Sequence, residues 1–130
     1  MITVAAAGNQ ATLASSLITR HAWVIPVAGC DAVGRPTPDS NLGRSIARRG
    51  FAPPGENITS LGQRGKALVL SGTSVATPFV TGTIALLWSE FPSASAAPIR
   101  YALTGAHERA RNSVFPPVLD AWAACRGSTG

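Results

Sequence analysis

The feature that most constrains the fold is a run of 22 residues, Ala67 to Trp88, without a charged side chain. A run of this length is long enough to cross a bilayer as a helix. Nine of the 22 residues are Ser, Thr, Gly or Pro, however, and four of these are consecutive at Ser71–Ser74. Such a cluster predicts a tight turn, so the run is interpreted as a strand, a turn and a helix in a protein core.

The helix is expected to begin at the serine cluster and to end at Phe91-Pro92. Pro78 is compatible with it, because proline is tolerated in the first helical turn. Bulky apolar side chains cover most faces of this segment, so we expect the helix to be central and buried. These side chains belong to Val75, Phe79, Val80, Ile84, Leu87 and Trp88.

Other segments complete an α/β pattern in a single domain that spans residues 1–130. Short apolar runs predict three strands, and the first two have the composition of buried parallel strands. Proline in the second run predicts an imperfect or edge strand, and two short helices follow the long one. The predicted strands are Ile2–Ala7, Trp23–Gly29 and Ala67–Leu70, and the predicted helices are Ala96–Thr104, capped by Ser93 or Ser95, and Pro117–Cys125.

The overall composition argues for a folded chain without a nucleic-acid role. The chain has 45% apolar and 13% charged residues, a combination that excludes disorder. The net charge is +5, but the arginines are scattered and only Arg44, Arg48 and Arg49 form a local group. No nucleic-acid motif accompanies them, so a solvated basic surface is favoured. Neither nucleic acid nor a membrane is expected as a partner.

Cys30 and Cys125 are far apart and form no CxxC pair, so free thiols are expected. Met1 leads into an apolar run without a basic segment, so no signal peptide is predicted and a cytoplasmic location is favoured over secretion. The sequon at Asn57-Ile58-Thr59 is therefore attributed to chance.

Ser74 lies where a strand–turn–helix unit would present a side chain at the sheet's functional edge. At a helix start, the backbone N–H of a serine and the helix dipole both favour negative charge on a nearby oxygen. Gly72 has no side chain to crowd the turn between the strand and the helix, and the Thr73 hydroxyl is suited to stabilise that turn. The alternative is that Ser74 is an ordinary helix cap.

Asn9 follows the first predicted strand and offers a side-chain amide donor at the same edge. The small residues Ala6, Ala7 and Gly8 are expected to leave room beside it for a substrate side chain. The alternative is an ordinary Gly-Asn turn.

Together these segments resemble the subtilisin-like serine peptidases. Gly72–Pro78 matches their G-T-S-x-A-x-P nucleophile motif, and Ala6–Asn9 matches their A-A-G-N segment. Trp23–Gly29 and the Ser40–Gly43 turn also resemble family segments in the same order. The likeness covers nearly the whole chain, as the C-terminal half of a catalytic domain. Within this family, the residues of these segments most resemble the bacterial peptidases that mature ribosomal peptides of the cyanobactin type.

The resemblance implies a role for each matching residue. Ser74 would be the nucleophile, and Asn9 with the Ser74 backbone N–H would form the oxyanion hole. Residues 6–8, Gly72 and Thr73 would contact a peptide or protein substrate. Calcium is common in this family, but the sequence has no carboxylate cluster to hold it, so no cofactor is expected.

The general base and its orienting acid are not evident. The family order is Asp, His, Ser, yet His21 follows Asn9 and no aspartate precedes it. His107 lies among charged residues that predict a surface turn. We therefore expect the N-terminal half, with its Asp and His, to be absent, and the chain alone to be inactive. A central helix uncovered on one side should then associate with that half or with a second copy.

Two other functions remain open at this point. The chain could be a non-catalytic, peptide-binding remnant of a subtilase. Less favoured is an esterase-like hydrolase, whose G-x-S-x-G elbow is half met: Gly72 stands two residues before Ser74, but Ala76 stands two after it.

Overall fold

The computed structural model describes residues 1–106 and 112–127. It consists of four short strands and five α-helices in these residues. Among them, no helix is long and apolar enough to cross a membrane. The elements are β1 (Thr3–Ala6), α1 (Leu17–Arg20), β2 (Val24–Val27), α2 (Arg44–Arg49), β3 (Ile58–Leu61), β4 (Ala67–Leu70), α3 (Thr73–Glu90), α4 (Ala96–Gly105) and α5 (Ala121–Gly127).

The parallel sheet is formed by β1 and β2, with Thr3 opposite Val24 and Ala6 opposite Val27. The chain after α2 extends it, because Phe51 bridges to Val27 in parallel. The predicted parallel pairing is therefore confirmed. The edge position predicted from Pro26 is wrong, since β2 lies between β1 and this extension. The extension approaches β2 closely at Gly50, because a Cβ there would collide with the Pro26 carbonyl oxygen.

Helix α3 packs one face on the parallel sheet. Ala76, Val80, Ile84 and Leu87 recur at helical spacing, are buried and join one core cluster with the sheet residue Val27. The opposite face is open, with Leu86 70% exposed. The helix predicted to be buried on most faces is thus buried along one stripe, because no described element covers the other side.

The third predicted strand exists as β4, but it is not part of the parallel sheet. It pairs antiparallel with β3, with Ile58 opposite Leu70 and Leu61 opposite Ala67. All four β4 residues are exposed. The strand that precedes α3 in the chain is therefore an exposed hairpin strand and not a buried strand of the parallel sheet.

The last two helices lie close to their predicted positions. Helix α4 matches its prediction to one residue, with Ser95 at its N-cap but without a side-chain capping bond. Helix α5 begins at Ala121, four residues later than predicted, and the structural reason is Asp120. The Asp120 carboxylate accepts the Ala123 N–H at 2.9 Å, so the first turn is capped there.

Candidate active site

Two hydrogen bonds join the end of β1 to the start of α3. The Thr73 N–H donates to Asn9 Oδ1 at 2.8 Å, and the Gly8 N–H donates to Thr73 Oγ1 at 3.1 Å. The partners are 64 and 65 residues apart in the chain. Thr73 is fully buried, so this reciprocal pair fixes the loop after β1 against the first turn of the helix.

The Asn9 amide has a defined orientation. A backbone N–H can only donate, so the amide oxygen must face Thr73 and the amide nitrogen must face away from it. Within residues 1–106 and 112–127, no acceptor is hydrogen-bonded to Asn9 Nδ2. The Asn9 side chain is exposed. The arrangement thus presents a free amide donor beside the residue that precedes Ser74.

Gly72 makes this close approach feasible. Its φ of +133° lies in a region that residues other than glycine rarely adopt. A Cβ at this position would lie 3.2 Å from Asn9 Nδ2. The Gly72 N–H donates to the Gly55 carbonyl at 2.8 Å, and the Gly55 N–H to the Cys30 carbonyl at 2.9 Å. The start of α3 is therefore anchored to the chain beyond β2.

Ser74 is the second residue of α3, and its side chain is exposed. The first backbone N–H groups of a helix have no acceptor within the helix, and the dipole adds positive partial charge there. The exposed Ser74 hydroxyl and the Ser74 backbone N–H therefore belong to the residue next to Thr73, which binds the Asn9 amide. The structure brings these sequence-predicted residues to one end of the sheet.

The small residues before Asn9 have a packing explanation. Ala7 is 3% exposed and packs with Ala28, Ile46 and Ala52 in a second core cluster. A Cβ on Gly8 would lie 2.5 Å from Asn41 Nδ2. Ala6 and Gly8 are partly exposed, and the side chains of Asn41 and Gln10 occupy the space next to Gly8.

Asn41 is the site-region residue that the sequence reasoning missed. It appeared there only as part of a family-like turn, yet it is 7% exposed and hydrogen-bonds to the segment that carries Asn9. We name residues 7–12 the amide loop. No local pattern signals this contact, because Asn41 and Gln10 are 31 residues apart.

His21 lies at the wrong end of the sheet to act on Ser74. It precedes β2, whereas Asn9 follows β1, and the two strands are parallel. A four-residue strand is about 13 Å long at about 3.3 Å per residue, so the two ends are well separated. The exposed His21 ring accepts the Trp23 N–H at 3.4 Å. His107, the other candidate base, lies outside the described residues.

The acidic and thiol groups near the sheet serve local structure. Asp31 pairs with Arg35 at 3.0 Å. The hydrogen bond from the Arg35 backbone N–H is the main cause that lowers the pKa of the Asp31 carboxyl; desolvation opposes it, and the Val33 N–H lowers the pKa further. Burial, and secondarily the Asp31 charge, raises the pKa of the Cys30 thiol. Cys30 and Cys125 are both free, as predicted. In the described part of the chain, no three His, Cys, Asp or Glu residues are grouped to bind a metal.

Comparison with known proteins identifies this arrangement. The family model of the subtilases, peptidase family S8, matches residues 1–116. The chain belongs to the subtilase family. The resemblance carried by Gly72–Pro78 and Ala6–Asn9 is therefore confirmed, and so is the α/β fold class.

Two curated relatives of this subtilase come from bacteria. The thermostable alkaline protease of Halalkalibacterium halodurans is 36% identical over 93 residues, covering 72% of this chain and 25% of the relative. Mycosin-3 of Mycobacterium tuberculosis is 35% identical over 105 residues, covering 70% and 22% respectively. The match thus spans about a quarter of each relative's length.

Solved structures place this subtilase beside peptide-maturation enzymes. The prenylagaramide maturation protease PagA is 26% identical with a TM-score of 0.85, covering 100% of this chain and 51% of PagA. The patellamide maturation protease PatA is 31% identical with a TM-score of 0.81, covering 96% and 50%. The predicted likeness to cyanobactin-type maturation proteases is confirmed, and the chain spans about half of each structure.

Proposed function

We propose that residues 1–130 are the C-terminal portion of the catalytic domain of a subtilisin-like serine endopeptidase. The observation that carries this proposal is the 2.8 Å bond from Thr73 N–H to Asn9 Oδ1. It holds an amide donor, without an acceptor among the described residues, next to the helix start on which Ser74 is exposed. An ordinary helix cap or turn would need no such link between distant segments.

In the proposed reaction, Ser74 Oγ attacks the carbonyl carbon of the scissile peptide bond. The carbonyl oxygen becomes an oxyanion that accepts hydrogen bonds from Asn9 Nδ2 and from the Ser74 N–H. Collapse of this tetrahedral intermediate expels the amine and leaves an acyl-serine, which water then hydrolyses. The first turn of α3 adds favourable dipole potential to both tetrahedral states.

Ser74 needs a base to accept its proton, and the base needs an orienting acid. We propose that an Asp and a His in an N-terminal portion of the catalytic domain supply these groups. The support is twofold: the two solved relatives are about twice the matched length, and His21 lies at the opposite end of the sheet. The same portion would cover the open face of α3, where Phe79 is 41% and Leu86 70% exposed.

The proposed substrate is a peptide or protein, because PagA and PatA are maturation proteases. Asn9, Gly72 and Ser74 would contact the reacting peptide bond. Thr73 is fully buried, so its contribution would be to hold the Asn9 amide in place.

The decisive experiment compares residues 1–130 alone with a completed domain, in which they are fused behind the N-terminal half of the PatA protease domain. A fluorogenic peptide reports turnover, and a fluorophosphonate reports covalent labelling of an activated serine. We expect neither signal from residues 1–130 alone, and both from the completed domain, with the label on Ser74.

Ser74→Ala in the completed domain is the control and should abolish both signals. Robust turnover by residues 1–130 alone would contradict the proposed division of the triad. A folded completed domain without labelling at Ser74 would favour a peptide-binding remnant instead. Turnover of an ester but not of an amide would favour the esterase alternative.

A further inference from the structure

Asn41 is a buried polar residue in the loop between β2 and α2, and its side chain is enclosed by the amide loop. Its amide oxygen accepts the Gln10 N–H at 2.9 Å and the Thr12 N–H at 3.2 Å. Its amide nitrogen donates to the Ala7 carbonyl at 3.1 Å and to Gln10 Oε1 at 2.6 Å. A side-chain amide has two acceptor positions and two donor hydrogens, so all four are used within one loop.

The backbone of Asn41 adds a fifth bond, from its N–H to the Gly8 carbonyl at 2.8 Å. The held groups therefore belong to residues on both sides of Asn9, which itself makes no bond to Asn41. Asn9 is thus held twice: Asn41 fixes its neighbouring backbone, and Thr73 fixes its side chain.

The amide loop needs this bracing because its backbone is unusual. Gly8 has a φ of +106°, and Ala11 has a φ of +53°, which is uncommon for a residue with a Cβ. Such conformations persist only where the surroundings over-determine them. Here the surrounding structure is the Asn41 amide, together with the 2.9 Å bond from the Ala11 N–H to the Asp39 carbonyl.

We propose that Asn41 is a positioning residue, which sets the direction of the Asn9 amide by clamping the amide loop from inside. The catalytic consequence rests on the proposed function, but the effect on loop geometry does not. Aspartate would keep the two acceptors and lose both donors, so it would face the Ala7 carbonyl and Gln10 Oε1 with a carboxylate. Alanine would lose all four side-chain bonds.

The first test measures amide hydrogen exchange by NMR on the full 130-residue chain. Asn41→Ala should accelerate exchange at Gln10 and Thr12, which lose their acceptor. The proposal further requires that exchange at the Thr73 amide accelerate by about tenfold more than exchange at the Ala28 amide, although none of the Asn41 side-chain hydrogen bonds goes to Thr73. Ala28 is a suitable core reference because its N–H bonds to the Phe51 carbonyl at 3.0 Å.

Ser40→Ala is the matched control. Ser40 is adjacent and 4% exposed, but its hydroxyl bonds to the Gly29 N–H and the Asn41 carbonyl rather than to the amide loop. Ser40→Ala should change amide exchange at Ala28 as much as Asn41→Ala does. It should not accelerate exchange at Thr73 beyond the change at Ala28. Asn41→Asp is the second variant: at low pH its protonated carboxyl can restore one of the two lost donors, so its effect on Thr73 should shrink as the pH falls. Unchanged relative protection of Thr73 in both Asn41 variants would overturn the proposal.

The second test uses the completed domain and separates kcat from KM. Asn41→Ala should lower kcat by about 10- to 100-fold with little change in KM, because a misplaced donor acts mainly in the transition state. In an Asn9→Ala background the same substitution should have no further effect on kcat. Multiplicative losses in the double variant would show that Asn41 does not act through Asn9. If the unsubstituted completed domain is inactive, the proposed function fails, while the exchange experiment still decides the positioning role.

Discussion

The first turn of α3 is flanked by two regions that are stabilised in different ways. The β3–β4 hairpin precedes it in the chain, and the amide loop is hydrogen-bonded to it. The hairpin pairs its own backbone regularly, from Ile58 opposite Leu70 to Leu61 opposite Ala67, while its β4 side chains remain exposed. The amide loop has no regular strand pairing, and many of its polar groups are bonded to Asn41 and Thr73, with further backbone bonds to Asp39 and Leu42. Regular backbone bonding forms a strand without burial, whereas the position of one functional amide requires contacts from distant segments.

The largest difference between these regions should appear in catalysis. In the completed domain, Asn9→Ala should lower kcat by about 10²- to 10³-fold with a nearly unchanged KM, a magnitude measured on subtilisin itself. Val69→Ala in the hairpin is the control and should leave kcat unchanged. Steady-state hydrolysis of a fluorogenic peptide measures both parameters. A loss below about threefold for Asn9→Ala would contradict the assigned role.

Gly72 lies where the two regions meet, and its replacement tests the junction. Gly72→Ala should destabilise the chain by about 1–3 kcal/mol, because it places a Cβ at a φ of +133° and 3.2 Å from Asn9 Nδ2. Urea unfolding followed by circular dichroism gives the free energy of unfolding. Gly82→Ala is the matched control: a Cβ there meets nothing within 4 Å, so it should stabilise α3 by about 0.5–1 kcal/mol. Equal effects of the two substitutions would refute the argument.

The exposed hairpin should govern association rather than folding. Leu61 is 83% and Val69 58% exposed, and their strand register places them on the same face. Replacing both with serine should change the free energy of unfolding by no more than about 0.5 kcal/mol. The same variant should elute later than the unsubstituted chain in size-exclusion chromatography, because less apolar surface is exposed. A large loss of stability with unchanged elution would mean that the hairpin belongs to the core.

The smallest effect is expected at the hairpin turn. Arg64 and Gly65 have φ values of +58° and +72°, and positive φ at both central residues is the condition for a type I′ turn. Asparagine is found at positive φ more often than arginine, so Arg64→Asn should stabilise the chain by about 0.3 kcal/mol. Arg64→Val should destabilise it, since β-branched residues are poor at positive φ. Thermal unfolding ranks the three chains, and any order other than Asn, Arg, Val would contradict the turn assignment.

Local patterns predicted β1, β2, β4 and the last three helices, but they did not predict α1, α2 or β3. The apolar runs at Ile2–Ala7 and Trp23–Gly29 contain β1 and β2, and the turn cluster at Ser71–Ser74 marks the start of α3. These signals succeed because propensity and periodicity act over a few residues. They do not reveal which strand pairs with β4 or which face of α3 stays exposed. Strand pairing and burial depend on segments that are distant in the sequence.

By itself the sequence determined the strand–turn–helix unit around Ser74, the amide at Asn9 and, through their motifs, the subtilase family. Only the tertiary structure decided that the Asn9 amide oxygen faces Thr73 and that Asn41 fills the amide loop. A side-chain amide can turn either end toward its surroundings, and the partners of these two amides are 29 to 64 residues away. Hydrogen-bond partners at that separation are chosen by the folded chain, since no local pattern encodes which donor will meet which acceptor.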